Sequence, residues 1–413
     1  MDLREDGRMS AARSRSTAAS VATATAVALA LPIALFLARF DSVEAAMRSI
    51  DFTDGLFEDF LGPYWRSAEA VAEGRPAPDA QYLYPPALAV LLSLLVPLGS
   101  AGASWAAALA GVFGTAALCG AALLVRPART RALGPVLLGA SVGLSFPVVH
   151  GAAWGNASLP VLGAAALGWA LALRERHAAG GVLLGAACAI KPTPLLALLG
   201  LVAIKKRRAT AWACAALFIV GALFPALALG VDGALAFARE SFGHLARLRE
   251  HIAGAAGAPG SQDLASSLQR LAEGALPRRV AVLLGGAVLA GVAVLGRRAI
   301  RTPGAKRSAL VAPLLAFPTL LVLPSWPHAL AWIPLAAWAA WPVGAGLVRR
   351  VLVVLAAALS SLPAAWLFPS PADHIGSGIL PLAGLLALVA LLTPGARGAP
   401  GAAGPSADEA PRP

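Results

Sequence analysis

Between Ser49 and Pro86 this chain concentrates its acids and all three of its tyrosines: Asp51, Asp54, Glu58, Asp59, Glu69, Glu73 and Asp79, with Tyr64, Tyr82 and Tyr84. A carboxylate in such a loop can take the proton from a hydroxyl nucleophile. Asp59, in Asp59-Phe60-Leu61-Gly62-Pro63-Tyr64, is the leading candidate for that base; Asp51 and Asp54 are its rivals. The plain alternative for each is a solvated loop acid or a helix N-cap. A second chemical residue is Lys191, in Ala187-Cys188-Ala189-Ile190-Lys191-Pro192-Thr193-Pro194. A lysine inside an apolar span costs about 2.5–3.5 kcal/mol or more and is a functional candidate by default. It would hold a phosphate, or else snorkel to a nearby interface. His328 follows Trp326 in a turn, where a structural role competes with a chemical one. His244, Arg247, Arg249 and His251 read as a solvated amphipathic face, one of which could meet a phosphate.

Cys119, Cys188 and Cys214 all lie in apolar runs, without paired spacing or neighbouring histidines. That pattern argues against a disulfide framework or a zinc site, and no metal is expected. Neither a Gly-rich phosphate loop nor a Ser/His/Asp set is apparent.

The elements that must position these residues are apolar helices. Apolar residues make up 58% of the 413 and charged residues 13%, against about 25% charged in a soluble domain. Mean hydropathy is +0.73. Runs of roughly 17–25 apolar residues suffice to cross a ~30 Å hydrocarbon core, and they lack the alternation of a membrane barrel. The fold class is therefore all-α, a polytopic helical membrane protein. The net charge of +12 sits in short clusters between spans, at Lys205-Lys206-Arg207-Arg208, from Arg297 to Arg307, and at Arg349-Arg350. This is the pattern of cytoplasmic loops rather than of nucleic-acid binding.

Residues 1–16 form a polar cytoplasmic tail, and the apolar run at 17–40 is too long for a cleaved signal, so it reads as the first span. Residues 17–393 form one transmembrane domain, and the low-complexity 394–413 a disordered cytoplasmic tail. Residues 41–84 make a first outer loop and 230–278 a second. Spans are expected near 210–229, 280–296 and 308–323, an outer turn at 324–328, and a final pair of spans around an outer turn at 369–377. Both termini are then cytoplasmic. The stretch 85–204 admits two counts. Crossings near 85–99, 103–125, 133–149, 158–173 and 180–204 give twelve spans, favoured because 180–204 is long enough to cross unaided. They leave the arginines of 126–131 and 174–176 outside. A surface helix plus one span over 85–125, with 180–204 a re-entrant hairpin broken at Lys191-Pro192, satisfies the charges and gives ten.

Four groups of motifs follow one another along the chain: Asp59-Phe60, Tyr64, Gly74 and Tyr84-Pro85-Pro86; Gly155-Asn156-Ala157-Ser158, the glycines of 180–185 and Lys191-Pro192-Thr193-Pro194; Ser261-Gln262-Asp263-Leu264; and Ser325-Trp326-Pro327-His328. Their order resembles that of glycosyltransferase family 87, the polyprenol-phosphate-dependent mannosyltransferases with a GT-C membrane fold. Asn156 and Ser158 stand where the family usually shows Gln and Asn, and Ala329 where it often has a second His. The spacing from Asp59 to Tyr64 is one residue longer than usual.

The resemblance implies a GT-C-like bundle and an inverting transfer of a hexose, mannose first among the candidates. The donor would be a polyprenyl-phosphate sugar and the acceptor a glycan or glycolipid, at the outer face of the cell (inner or plasma) membrane. No cofactor is implied beyond the lipid-linked donor. Asp59 would be the base; Lys191, His328, Tyr64, Tyr84, Asn156 and Gln262 would bind donor phosphate or substrate. The bilayer, the lipid-linked sugar and the acceptor are the expected partners, with no nucleic acid. The rival class is a multi-pass transporter or lipid-linked-sugar flippase. Such a protein should show internal repeats and paired broken helices, and only one broken helix is apparent, at Lys191-Pro192.

Overall fold

A computed structural model describes residues 3–50, 56–75, 77–125, 133–254, 261–273, 275–301, 326–341 and 347–392. Asp51 and Asp54, the expected span at 308–323 and the tail 394–413 lie outside them. Every element among the described residues is helical, and the single β-bridge joins Ser145 to Ser361. The expected all-α polytopic membrane class is what the chain adopts. Apolar stretches of 24, 30 and 42 residues, at Ser16–Arg39, Val96–Val125 and Arg207–Leu248, are long enough to cross a bilayer.

Helix α1 (Leu3–Arg39) contains the first span, and α2 (Val43–Arg48) follows, capped by Ser42. A π-helical turn (Phe60–Tyr64) runs into α3 (Trp65–Ala72). Helix α4 (Pro86–Ser93) begins at a proline, tolerated where no N–H partner is needed. A short 3₁₀ turn then leads to α5 (Gly99–Val125). Next come α6 (Leu133–Gly143), α7 (Phe146–Ala153), α8 (Ser158–Leu173), α9 (His177–Ile190), α10 (Leu195–Ala203) and α11 (Arg207–Phe218).

The centre of the bundle is built from small residues. A Cβ at Gly163 would lie 2.5 Å from the Gly114 carbonyl, and one at Gly185 would fall on that of Ala213. In lipid, where no hydrophobic drive joins helices, such backbone approach is a principal source of packing. Trp169, Leu159 and Leu184 fill the space between.

Over 85–204 the geometry follows the ten-span reading rather than the favoured twelve. Helix α4 has 8 residues, about 12 Å at 1.5 Å per residue, too short to cross. Helix α9 stops at Lys191, where the backbone turns extended (φ −141°, ψ 125°) ahead of Pro192 and Pro194, and α10 starts afresh at Leu195. The two ends of this segment meet, because Lys206 pairs with Glu175. Arg174 also donates to the Leu124 carbonyl at 2.6 Å. The C-terminal ends of α5 and α8 and the start of the basic run after α10 therefore gather on one face, and α9–α10 folds back on itself as a hairpin, the arrangement of the ten-span reading.

A second π-turn (Ile219–Leu223) joins α11 to α12 (Phe224–Gly254), which kinks at Gly230 (φ 71°) where the second loop was expected to begin. Beyond the kink, Phe237 packs edge-on to Tyr82 at 5.5 Å, and the His244 ring lies 3.3 Å from the Tyr82 carbonyl. The second loop thus covers the first. Helices α13 (Leu264–Leu271) and α14 (Arg278–Arg301) follow. Later helices lie at Ile333–Ala340, Leu347–Leu359, Leu362–Ala365, Pro371–Gly376 and Ile379–Leu392.

Candidate functional site

Asp59 is set by two backbone contacts to the end of α7. The Phe57 N–H donates to the Ala153 carbonyl at 2.7 Å and the Asp59 N–H to that of Trp154 at 3.1 Å. Phe57 holds a left-handed backbone (φ 63°) to make this clamp, a conformation costing a bulky residue on the order of 1–2 kcal/mol. Gly155 turns the chain opposite (φ 63°), where a Cβ would lie 2.8 Å from that of Phe60. Between Asp59 and Tyr64 the helix widens: Pro63 has no N–H to give, Gly62 departs from helical geometry (ψ −106°), and the turn is π. A π-turn absorbs one extra residue. The longer Asp59-to-Tyr64 spacing is accommodated here, and both side chains reach the same partner.

That partner is Asn156. Its Oδ1 accepts the Ser158 N–H at 2.8 Å, an Asx turn that opens α8 and fixes the orientation of the amide. Its Nδ2 donates to Asp59 Oδ2 at 2.5 Å and to the Tyr64 hydroxyl at 3.1 Å. Both amide hydrogens are thereby used. The structure thus places Asn156 as a hub between two predicted site residues. Tyr64 donates to the Tyr84 hydroxyl at 2.8 Å. Lys191 Nζ lies 3.4 Å from that same hydroxyl, 2.5 Å from Ser158 Oγ and 5.1 Å from the centre of the Tyr84 ring. Asp59, Asn156, Tyr64, Tyr84 and Lys191 therefore form one connected line, with Ser158 at its cationic end. Tyr64, Tyr82 and Tyr84 pack edge-to-face around it.

Electrostatics divide this line into two ends. Burial, then Tyr84 and Asp59, pushes the Tyr64 phenol well above its usual range. It stays neutral and separates carboxylate from lysine. His328 is buried beside Lys191 in the 3₁₀ turn Pro327–Leu330. Burial first, then Lys191 and His150, holds its imidazole well below the ordinary value. His328 therefore offers a neutral hydrogen-bonding group, and Lys191 the positive charge. An arrangement with a carboxylate at one end and a part-buried cation at the other can deprotonate a nucleophile and receive a negative leaving group.

Gln262 stands apart from this line. It is fully buried and its Nε2 donates to the Ile375 carbonyl at 2.9 Å. Its neighbour Asp263 caps α13 through the Ser266 N–H at 2.8 Å, with Arg278 3.6 Å away. Sequence reasoning assigned no role to Ser158, or to the ring face of α7. Phe146, His150 and Trp154 recur every four residues there, and His150 stacks on Trp154 at 5.4 Å and lies 5.6 Å from His328. The i, i+4 spacing of aromatic residues was the available signal.

A bundle of membrane helices enclosing a carboxylate and a lysine at one face belongs to the class of polytopic membrane proteins with a buried polar site. Comparison with protein families matches glycosyltransferase family 87 over residues 82–324, more than half of the chain, and the chain belongs to that family. It is a membrane glycosyltransferase. Neither a curated protein nor a solved structure gave a match. Tyr84, Asn156, Ser158, Lys191 and Gln262 fall within the matched residues; Asp59 and Tyr64 precede them and His328 follows.

Proposed function

We propose that this chain is an inverting glycosyltransferase that moves a hexose, mannose first, from a polyprenyl-phosphate donor to a glycan or glycolipid acceptor. The reaction takes place at the outer face of the cell membrane. The observation that carries the reading is the unbroken line from Asp59 through Asn156, Tyr64 and Tyr84 to Lys191. Asp59 takes the proton of the acceptor hydroxyl, whose oxygen attacks the anomeric carbon. The bond from that carbon to the phosphate oxygen breaks, and its electron pair leaves with the lipid phosphate. Lys191 meets the charge that develops there, which preorganised groups can stabilise without a metal. His328 adds a neutral contact, and the apolar helix faces accommodate the lipid tail. A transporter could also bury a lysine in a broken helix, but family membership favours transfer over transport.

The test is incubation of the purified protein with radiolabelled polyprenyl-phosphate mannose, other polyprenyl-phosphate hexoses and a panel of glycan and glycolipid acceptors. Label should pass to an acceptor with inverted configuration. Failure with every lipid-phosphate sugar, alongside transfer from a nucleotide sugar, would overturn the donor class.

A further inference from the structure

The hydrogen bonds around Lys191 have a direction, and it leaves hydrogens over. The Tyr64 hydroxyl accepts from Asn156 Nδ2 at 3.1 Å and donates to Tyr84 at 2.8 Å. The Tyr84 oxygen then accepts from Tyr64 and, at 3.4 Å, faces Lys191, which is donor-only. Its own hydrogen has no acceptor among the described residues. Ser158 is in the same position: its Oγ accepts from Lys191, it is 1% exposed, and its hydroxyl hydrogen is likewise unspent. Lys191 uses two of its three N–H groups on these two hydroxyls.

No carboxylate among the described residues pairs with Lys191, and Asp59 is separated from it by Asn156, Tyr64 and Tyr84. His328 beside it is 3% exposed, with no partner for Nδ1 among the described residues. The backbone at the start of α8 is already committed. Ser158 N–H goes to Asn156 Oδ1 and Leu159 N–H to the Asn156 carbonyl, while Pro160 has none. Only side-chain hydrogens remain, at the positive end of a 16-residue helix.

From this convergence we infer that the hydroxyls of Ser158 and Tyr84 join Lys191 in one oxyanion-binding corner, each donating its unspent hydrogen to a separate phosphoryl oxygen. The inference rests on the lipid-phosphate reading for its ligand, yet the corner itself is defined by donors alone. Ser158 has two tasks: it holds the lysine in place and binds the ligand that the lysine attracts. Tyr84 conveys the order of the Asp59 end to the phosphate end, because its hydrogen is free only while Tyr64 donates to it.

The experiment measures binding of citronellyl phosphate, citronellol and inorganic phosphate to the detergent-purified full chain by calorimetry, with no turnover needed. Wild-type protein should bind citronellyl phosphate at least about tenfold more tightly than citronellol, the scale of a hydrogen bond to a charged group. Ser158→Ala and Tyr84→Phe should each remove about tenfold of the citronellyl phosphate affinity and leave citronellol unchanged. Ser158→Thr, which keeps the hydroxyl, should restore most of the loss. Should Ser158→Ala prove unstable, Tyr84→Phe still decides, since its ring contacts persist. Inorganic phosphate bound as tightly as citronellyl phosphate keeps the corner and assigns it to the free ion; preference for the lipid analogue assigns it to the headgroup. Unchanged citronellyl phosphate affinity in both hydroxyl-deleting variants overturns the inference, as does equal wild-type affinity for phosphate ester and alcohol. If the corner binds phosphate but no lipid-phosphate sugar is turned over, the proposed function fails alone.

Discussion

The hairpin α9–α10 has a lysine at each end, and the two are treated differently. At its base, Lys206 pairs with Glu175, which also meets His177 at 2.9 Å. The hydrogen bond from Lys206 is the main reason the Glu175 carboxyl lies below its ordinary range. At its tip, Lys191 meets two hydroxyls and a tyrosine ring, with no carboxylate among the described residues. A cation matched by a carboxylate has most of its interaction capacity filled from within the chain. One matched only by hydroxyls keeps its charge available, and in a membrane bundle that is costly unless a ligand uses it. In the proposed reaction the base of the hairpin is architecture and the tip supplies the cation.

The comparison depends on base and tip lying on opposite faces, and this has an all-or-none test. With Cys214 replaced by Ala, and Cys119 and Cys188 buried, single cysteines at Ala80, Arg176 and Arg208 should label with a membrane-impermeant reagent. Arg176 and Arg208 should label from one side and Ala80 from the other. Labelling of Arg176 from the same side as Ala80 would restore the twelve-span path and dissolve the hairpin.

At the site end, Asp59→Asn should lower turnover by at least about 10²-fold while donor binding persists, since an amide cannot take the proton that a general base removes. Asp51→Asn and Asp54→Asn change the loop charge equally and serve as controls. Near-normal turnover in Asp59→Asn, with loss in either control, would move the base and leave the enzyme class standing.

The two lysines themselves come next. Lys191→Met should raise the donor KM by about tenfold to a hundredfold, the range for a lost charged contact. Lys206→Met should leave KM within about twofold, because its partner Glu175 is two-thirds exposed and such surface pairs contribute about 0–1 kcal/mol. Equal donor KM in wild type and Lys191→Met would show that the tip lysine only packs.

How much of this was legible beforehand differs along the chain. Asp59 and Lys191 could be picked out because each departs from its surroundings: one among loop acids, one alone in an apolar run. Asp263 was visible only as a motif residue, and its capping of α13 came from the structure. The hairpin was half legible, since charge pointed to it and length pointed away. Length misled because 25 apolar residues can span only as one helix, and Pro192 with Pro194 divides them. Asn156 was visible as a motif residue, but its hub role depends on partners 92 and 97 positions away. Nothing local in a sequence encodes that pairing. Gln262 was likewise visible only as a motif residue, and its partner, the Ile375 carbonyl, lies 113 positions away.

The smallest effect concerns two histidines that repeat the contrast between paired and unpaired groups. His177 at the hairpin base faces Glu175, whereas His374, in the turn helix Pro371–Gly376, is fully buried with neither ring nitrogen partnered among the described residues. Its ring packs against Phe146 at 4.6 Å and Phe368 at 5.2 Å. Burial, then the nearby His150, brings its pKa down to about 4. The unfolded chain takes up that proton near pH 6.5, so between about 6.5 and 4 it binds more protons than the folded one. Stability from this group is complete above about pH 6.5 and is lost as pH falls toward 4. Between pH 7.5 and 5.5 the loss should be about 1 kcal/mol, read as a fall in detergent-phase melting temperature. His374→Phe, which suits the aromatic surroundings, should flatten that slope relative to wild type. An unchanged slope in His374→Phe would place the acid sensitivity elsewhere and leave His374 a packing residue only.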